Sequence, residues 1–468
     1  MLKVQNLLLD SVRHMSKQIS NSQKRKILQD INEIQRKFAE TKNRKNLNFL
    51  ISEHNFKPKR NNLKVYVWGL AETGALGIQK SLKKHKQMNC LFVQHPSRLS
   101  FGEKYEIKDV AAGYGFSIFV VKSVDDSISL FGTGINTDSQ IGYHKHSGLT
   151  NKPIELMIYP APIILPKISE DEKLQAVKAA TGRAHTVVLT ENGALFTFGN
   201  NAYGQCARQM IEDEEYLGSQ LINRLDPKIF NNTKITDIVC GQDHSIFVTE
   251  TGSLYGCGWG ADGQTGLGHY NNQHQPELLQ GDIERENIVK VSSAGDCVLA
   301  LSDKGEVFGW GNSEYGQISR DESIQQINTP THLKYFDGLG KIVDISAGGS
   351  FCSVLNESGD VFVWGFGLLG LGPQVDYCKQ PKLIPPTLFG RNPFNPSNRV
   401  ISINCGLNHM TAINNDNDLF TWGKNKFGCL GLGHENDQFF PFKALVGAKV
   451  EKVVCGVDHT IALCNSFV

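Results

Sequence analysis

From residue 63 to the end of the chain, short apolar runs alternate with glycine turns in a pattern that returns seven times. The first unit is two β-formers, any residue, an aromatic or small residue, and then glycine. It reads Val65-Tyr66-Val67-Trp68-Gly69, Leu130-Phe131-Gly132-Thr133-Gly134, Leu195-Phe196-Thr197-Phe198-Gly199 and Leu254-Tyr255-Gly256-Cys257-Gly258. It continues as Val307-Phe308-Gly309-Trp310-Gly311, Val361-Phe362-Val363-Trp364-Gly365 and Leu419-Phe420-Thr421-Trp422-Gly423, with closing glycines 65, 65, 59, 53, 54 and 58 residues apart. Most copies lead into a second glycine cluster, such as Tyr203-Gly204-Gln205 or Phe427-Gly428-Cys429-Leu430-Gly431.

A second unit also recurs seven times: an apolar strand, glycine, two variable residues, a large residue, and another apolar strand. Histidine is the large residue in Gly182-Arg183-Ala184-His185, Gly241-Gln242-Asp243-His244, Gly406-Leu407-Asn408-His409 and Gly456-Val457-Asp458-His459. Three copies depart from this: Gly113-Tyr114-Gly115-Phe116, Ala294-Gly295-Asp296-Cys297 and Gly348-Gly349-Ser350-Phe351. Ala294/Cys297 and Gly349/Phe351 lose the signature, which predicts a ring remodelled over half its circumference.

Several short strands per fixed-length unit predict a propeller or a solenoid. In six places the second unit runs through a turn straight into the first, as in His244 through Thr251-Gly252 to Tyr255, so the two form an antiparallel hairpin. The chain starts with an unpaired copy of one unit and ends with an unpaired copy of the other. Pairing Val65–Trp68 with His459–Cys464 would complete a seventh blade and remove the open edges that a solenoid leaves. The expected fold is an all-β, seven-bladed β-propeller over 63–468, closed by its N- and C-terminal strands and preceded by a basic helical or disordered leader, 1–62.

Composition agrees: 46 glycines suit an all-β chain rich in tight turns. No apolar run approaches the ~20 residues that span a bilayer as a helix. Residues 1–60 hold 14 Lys/Arg against 5 Asp/Glu, so a net charge of +1 for the chain leaves −8 on the rest. Leu8, Val12, Met15 and Ile19 make an apolar helical stripe beside Arg13, Lys17 and Lys24-Arg25-Lys26, the mark of a mitochondrial transit peptide. A nucleic-acid-binding or solvated basic arm is the alternative. The eleven cysteines are scattered, with Cys240, Cys405, Cys455 and Cys464 in apolar strands, as reduced core thiols would be.

The paired units resemble the regulator of chromosome condensation repeat over about 63–468. Cys240-Gly241-Gln242-Asp243-His244-Ser245, Gly258-Trp259-Gly260 through His269-Tyr270, and Ile384-Pro385-Pro386-Thr387-Leu388-Phe389-Gly390 resemble the mitochondrial member of that family. That resemblance implies two roles, which can coexist. One is a non-enzymatic scaffold for assembly of the large mitochondrial ribosomal subunit and stability of its RNA, beside RNA-modifying proteins. The alternative is guanine-nucleotide exchange on the dynamin-like fusion GTPase of the inner membrane. The scaffold is the leading expectation. The location implied is the matrix or the inner membrane, with peripheral membrane association, indirect contact with ribosomal RNA, and no DNA.

Catalytic signatures are missing: the sequence holds no Walker-type lysine loop, zinc-protease helix or nucleophile elbow. No cofactor or metal is expected. The Cys-Gly-x-x-His units fall on different blades, whereas zinc needs about four converging ligands. The expected role of each imidazole is packing, with a hydrogen bond to neighbouring backbone. The variable turn residues should ring one face of the propeller, where the resemblance implies contact with a GTPase. The candidates are Arg183, Gln242, Asp243, Asp296, Asn408 and Asp458. An alternative role for the Asp and Asn residues is local turn hydrogen bonding. Partner choice is expected in four insertions: Gln79 to Lys104, with Lys80, Lys83, Lys84, His85 and Lys86; 143–176; 207–234; and Pro385 to Pro396, presenting Leu388, Phe389 and Phe394.

Overall fold

The computed structural model describes residues 63–78, 91–124, 128–146, 152–321 and 323–465. The basic leader and Lys80 to Lys86 lie outside the described residues. Seven four-stranded antiparallel sheets are present. Numbered by their innermost strands, the blades start at Ile107–Ala112, Ala176–Thr181, Ile235–Cys240, Ile288–Ser292, Ile342–Ala347, Val400–Cys405 and Lys449–Cys455. Each innermost strand packs beside that of the next blade, and the seventh beside the first.

The hairpin expected from the sequence forms the middle of every blade, as in the pairing of His244 with Gly258 and Val248 with Leu254. Closure follows the expected register. Val65 faces Leu463, Val67 faces Ile461 and Trp68 faces Thr460, so both ends of the chain share blade 7. Trp68, Trp310, Trp364 and Trp422 are buried between blades. The indole N–H groups of Trp68, Trp310 and Trp364 donate to the carbonyls of Cys429, Gln264 and Gln317, each in the preceding blade's glycine cluster, at 2.8, 3.0 and 2.8 Å. The glycine that ends this strand is needed for two reasons. Gly258 has φ +113°, and a Cβ there would lie 2.4 Å from the Asp243 carbonyl oxygen.

The outermost strands correct the insertion map. Phe92–Arg98, Leu156–Pro162 and Asn223–Arg224 lie inside three of the segments expected as insertions, yet each is the fourth strand of a blade. Their pattern is polar because they pack on one side only. Six of the seven outer strands contain a proline, Pro96, Pro160, Pro276, Pro330, Pro381 or Pro441, placed where pairing to the third strand shifts register. A proline there removes an edge N–H and blocks pairing with another sheet. In the fourth segment, Pro386–Phe389 is a short 3-10 turn with Phe389 buried against the Phe420 and Trp422 rings. Leu388 is half-buried and Phe394 alone is fully exposed.

The histidines are buried as expected, but the partners at Nε2 are side-chain hydroxyls and not backbone groups. His185 Nε2 lies 3.1 Å from Ser245 Oγ, His409 Nε2 2.9 Å from Thr460 Oγ1 and His459 Nε2 2.9 Å from Ser117 Oγ. Each hydroxyl belongs to the next blade, on the residue that follows its own large position. At two of the three positions that lack histidine, this neighbour changes with it. Cys297 meets Cys352 at 3.7 Å, and Phe351 shares an apolar cluster with Met410. Two of the three departures are therefore matched between adjacent blades, Phe116 leaves Thr186 unchanged in the next one, and all seven blades keep four strands, so the expected remodelling of half the ring does not occur.

Ala294 has the same explanation. A Cβ at Gly241 would sit 1.9 Å from the His244 ring, and one at Gly182 2.3 Å from His185. Cysteine is small enough to leave that space to a methyl group. Cys297→His is expected to destabilise the fold by about 1–3 kcal/mol through overpacking, and adding Ala294→Gly to recover about 1 kcal/mol or more as a coupling energy. Urea melts of the two single variants and the double variant check this; strictly additive losses would refute it.

Candidate partner-binding face

The two-residue turns between the first and second strands form a belt on one face of the ring. Backbone bonds link them: Arg183 N–H donates to the Gln242 carbonyl at 2.8 Å, Gln242 N–H to Gly295 at 3.3 Å, and Gly349 N–H to Leu407 at 3.2 Å. These bonds hold the side chains of adjacent blades in fixed relation.

The structure brings Arg183, Asp243 and Asp296 together on blades 2, 3 and 4. The exposed Arg183 guanidinium grips the Asp243 carboxylate, Nη2 to Oδ2 at 2.6 Å and Nε to Oδ1 at 3.3 Å. Asp243 itself is 1% exposed. Burial raises its pKa, and Arg183 opposes that shift without reversing it. Asp296 is pushed up to about 6, first by burial and then by the charges of Asp262 and Asp243. Its Oδ1 accepts from Gln264 Nε2 at 3.3 Å. Among the described hydrogen bonds, none joins either carboxylate to its own turn, so the local-turn role has no bond to support it.

Two further acids complete the group, and sequence reasoning missed both. Asp138 raises the Asp243 pKa, and Asp262 raises that of Asp296. Asp138 accepts from Asn200 at 2.8 Å and Asp262 from Gln326 at 2.6 Å. Their signal lay in the second glycine cluster, two residues before Gln140, Gln205, Gln264 and Gln317. That position reads Asp138, Tyr203, Asp262, Tyr315, and its backbone N–H donates to the glutamine each time. The aromatic members stack on the next blade, Tyr203 on Trp259 at 5.6 Å and Tyr315 on Phe366 at 5.0 Å. Asp243 and Asp296 beside Arg183, with Asp138 next to the first and Asp262 next to the second, and two half-exposed aromatic stacks on the same belt make an anionic surface suited to basic side chains.

The remaining candidates lie elsewhere on the belt. Gln242 contributes its backbone. Asn408 and Asp458 are on blades 6 and 7, half-buried, and their carbonyls accept from Lys424 at 3.0 Å and Leu70 at 2.8 Å. Burial raises the Asp458 pKa and Lys426 opposes it. Tyr114 reaches from blade 1 across the central channel to the Ala294 carbonyl of blade 4 at 3.4 Å, near Asp243 and Asp296. The three Cys-Gly-x-x-His units do not converge. Their histidines are engaged as described above and with Ser293, 3.3 Å from His244 Nε2.

A closed ring of seven such blades, with these turns on one face, defines a propeller of the RCC1-like class. The chain belongs to that family: an RCC1-like domain matches residues 59–392, and RCC1 repeats match 400–429 and 416–463. It is 42% identical over 417 residues to the RCC1-like G exchanging factor-like protein of Mus musculus, covering 86% of this chain and 88% of that one. The Homo sapiens counterpart is 41% identical over 413 residues, covering 86% and 87%. The crystal structure of human WBSCR16 is similar at TM-score 0.80 and 41% identity, covering 87% of this chain and 100% of that one. Yeast RCC1 (Prp20), solved bound to Kap60, shares the fold at TM-score 0.70 and 19% identity, covering 87% and 90%.

Proposed function

We propose that this chain regulates a GTPase by binding it on the turn face, with no chemistry of its own. The observation that carries this reading is the anionic group in which Asp243 and Asp296 lie beside Arg183, with Asp138 next to the first and Asp262 next to the second. An exchange factor must bind the nucleotide-free GTPase better than the loaded one. Carboxylates on a rigid belt would compete with the nucleotide's phosphates for the GTPase's lysine and its magnesium site. The name of the 41–42% identical relatives, RCC1-like G exchanging factor-like protein, supports the same class. The finer reading is a dynamin-like GTPase of the mitochondrial inner membrane, resting on the basic leader and the resemblance to the mitochondrial member.

Release of a fluorescent guanine nucleotide from that GTPase, with and without saturating propeller, is the test. No acceleration sinks the exchange role. Asp296 gives a sharper readout. Its carboxyl has a raised pKa when folded, so folding stability falls as pH rises through the window between 3.8 and about 6. Asp296→Asn is therefore expected to stabilise the fold by about 1–3 kcal/mol at pH 7.5, while weakening GTPase binding at least ten-fold. A variant that loses stability and keeps its binding would leave Asp296 as a turn residue.

The scaffold role in large-subunit ribosome assembly is favoured by a different surface. Segments 163–175 and 207–222 expose Ile164, Ile168, Ile211 and Leu221, and their neighbourhood is braced by the two-pronged Arg224–Glu172 pair at 2.9 and 2.7 Å. Exposed apolar side chains on braced loops suit protein docking. Unchanged abundance of large-subunit ribosomal RNA after depletion would remove this reading.

A further inference from the structure

The residue that follows the register shift of the innermost strand reads, around the ring, Asp109, Lys178, Asp237, Lys290, Asp344, Ser402, Lys452. Charge alternates from blade to blade, and the residue sits beside the same register shift in every blade. Each lysine pairs forward: Lys178 with Asp237, Lys290 with Asp344 and Lys452 with Asp109. Seven is odd, so pairing leaves one blade out, and there the residue is neutral Ser402. Across that seam Asp344 Oδ2 accepts from the Ile403 N–H at 3.1 Å.

The two members of each pair are placed differently. The central channel holds a cavity of about 350 Å³ whose walls include Lys178, Lys290 and Lys452 together with Ser402 and Asn404, while Asp109, Asp237 and Asp344 are not part of the wall. The lysine side chains are 34–42% exposed, against 9% for Asp109, 12% for Asp344 and 26% for Asp237. The aspartates are also tied to backbone amides: Asp237 Oδ1 accepts from Ile238 at 2.7 Å and Asp344 Oδ1 from Ile345 at 2.9 Å. An ammonium group has three donors. One goes to the aspartate, and two remain for the channel.

We infer that the channel is a binding site for a small polyanion carrying several phosphate groups. Three ammonium groups on blades 2, 4 and 7 converge from different sides on one chamber, with serine and asparagine side chains between them. The volume lies at the small end of the roughly 300–1,000 Å³ of ligand sites, and Tyr114, part of the wall, crosses to Ala294 on the far side. A single monovalent anion would meet one lysine, whereas a multivalent one meets all three. Inorganic polyphosphate, a nucleoside triphosphate and an inositol polyphosphate share this chemistry. The chamber reaches the turn residues Gly182, Gly241, Ala294 and Leu407 at one end, but its lysines stand on the innermost strands and the inference does not depend on the GTPase reading.

Calorimetric titration of the full chain with tripolyphosphate, ATP and inositol hexakisphosphate, each against sulfate at matched ionic strength, tests the site and separates the sources. Saturable, salt-sensitive binding of at least one phosphate probe is expected, and binding no better than sulfate by all three overturns the proposal. Paired neutralisation by Lys178→Gln with Asp237→Asn avoids an orphaned carboxylate and is expected to weaken affinity about ten-fold or more. Lys304→Gln with Glu286→Gln, an exposed pair elsewhere, should change nothing. Equal affinity in wild type and the channel variant overturns the proposal. Should that variant not fold, lysine acetylation mapped on the wild-type protein decides: the ligand must protect Lys178, Lys290 and Lys452 and leave Lys304 reactive. Protection absent from the three channel lysines overturns it.

Discussion

Deleting residues 459–468 is expected to abolish the folded ring rather than trim one strand. The segment His459–Asn465 lies between Lys64–Leu70 and Lys449–Cys455 in blade 7. Without it, Ile461 and Leu463 are gone, while Trp68, Val65 and Val67, all fully buried, lose their cover. At about 1.5–3 kcal/mol per large apolar side chain, the loss reaches on the order of 10 kcal/mol. That equals the whole stability of a typical domain. It also breaks the circle: His459 contacts Ser117 of blade 1, and Thr460 contacts His409 of blade 6. In an open solenoid the same deletion would fray one end and leave the rest standing. Circular dichroism and size exclusion should find the truncated chain unfolded or aggregated. A single melting transition at the wild-type temperature would mean that the ring does not depend on its closure.

The closure was legible because both halves of the signal are hydrophobic and rigidly spaced. The tryptophan-glycine and glycine-x-x-histidine strands are buried on both faces, so every position is constrained and the repeat survives in the letters. The outer strands face the core on one side only. Composition there drifts to sequences such as Gln273-His-Gln-Pro-Glu-Leu278, which look like loops. Compensation between blades was also hidden. Cys297 and Cys352 are 55 residues apart, and nothing local to either indicates that one answers the other. The acidic group on the turn face combines two repeat positions, the turn pair and the residue before the Gly-Gln cluster. Either can be found by aligning the repeats, but only the fold shows that they meet. The same holds for the channel lysines, whose alternation with aspartate emerges once the seven innermost strands are in register.

Acid is expected to unfold this protein near pH 5, through its buried histidines. His185, His244 and His459 are held down to about 3, and His409 to about 4, all chiefly because burial penalises the charged imidazolium. A base whose folded pKa is depressed stabilises the native state above its unfolded value, near 6.5, and loses that contribution as pH falls towards the folded value. At pH 5 each of the four costs about 2 kcal/mol, on the order of 8 kcal/mol together, which rivals the total stability. Asp296, Asp243 and Asp458, all raised by burial, work in the opposite direction, but they are less buried than the four imidazoles and do not offset them. Tryptophan fluorescence during an acid titration should therefore show one cooperative transition between about pH 4.5 and 5.5, with several protons taken up. Blade 5 already carries the remedy, since Phe351 faces Met410 where other blades use histidine and a hydroxyl. Transplanting that pair as His409→Phe with Thr460→Met should lower the midpoint and reduce proton uptake by about one. An unchanged midpoint and slope would show that the buried histidines do not set the acid limit of the ring.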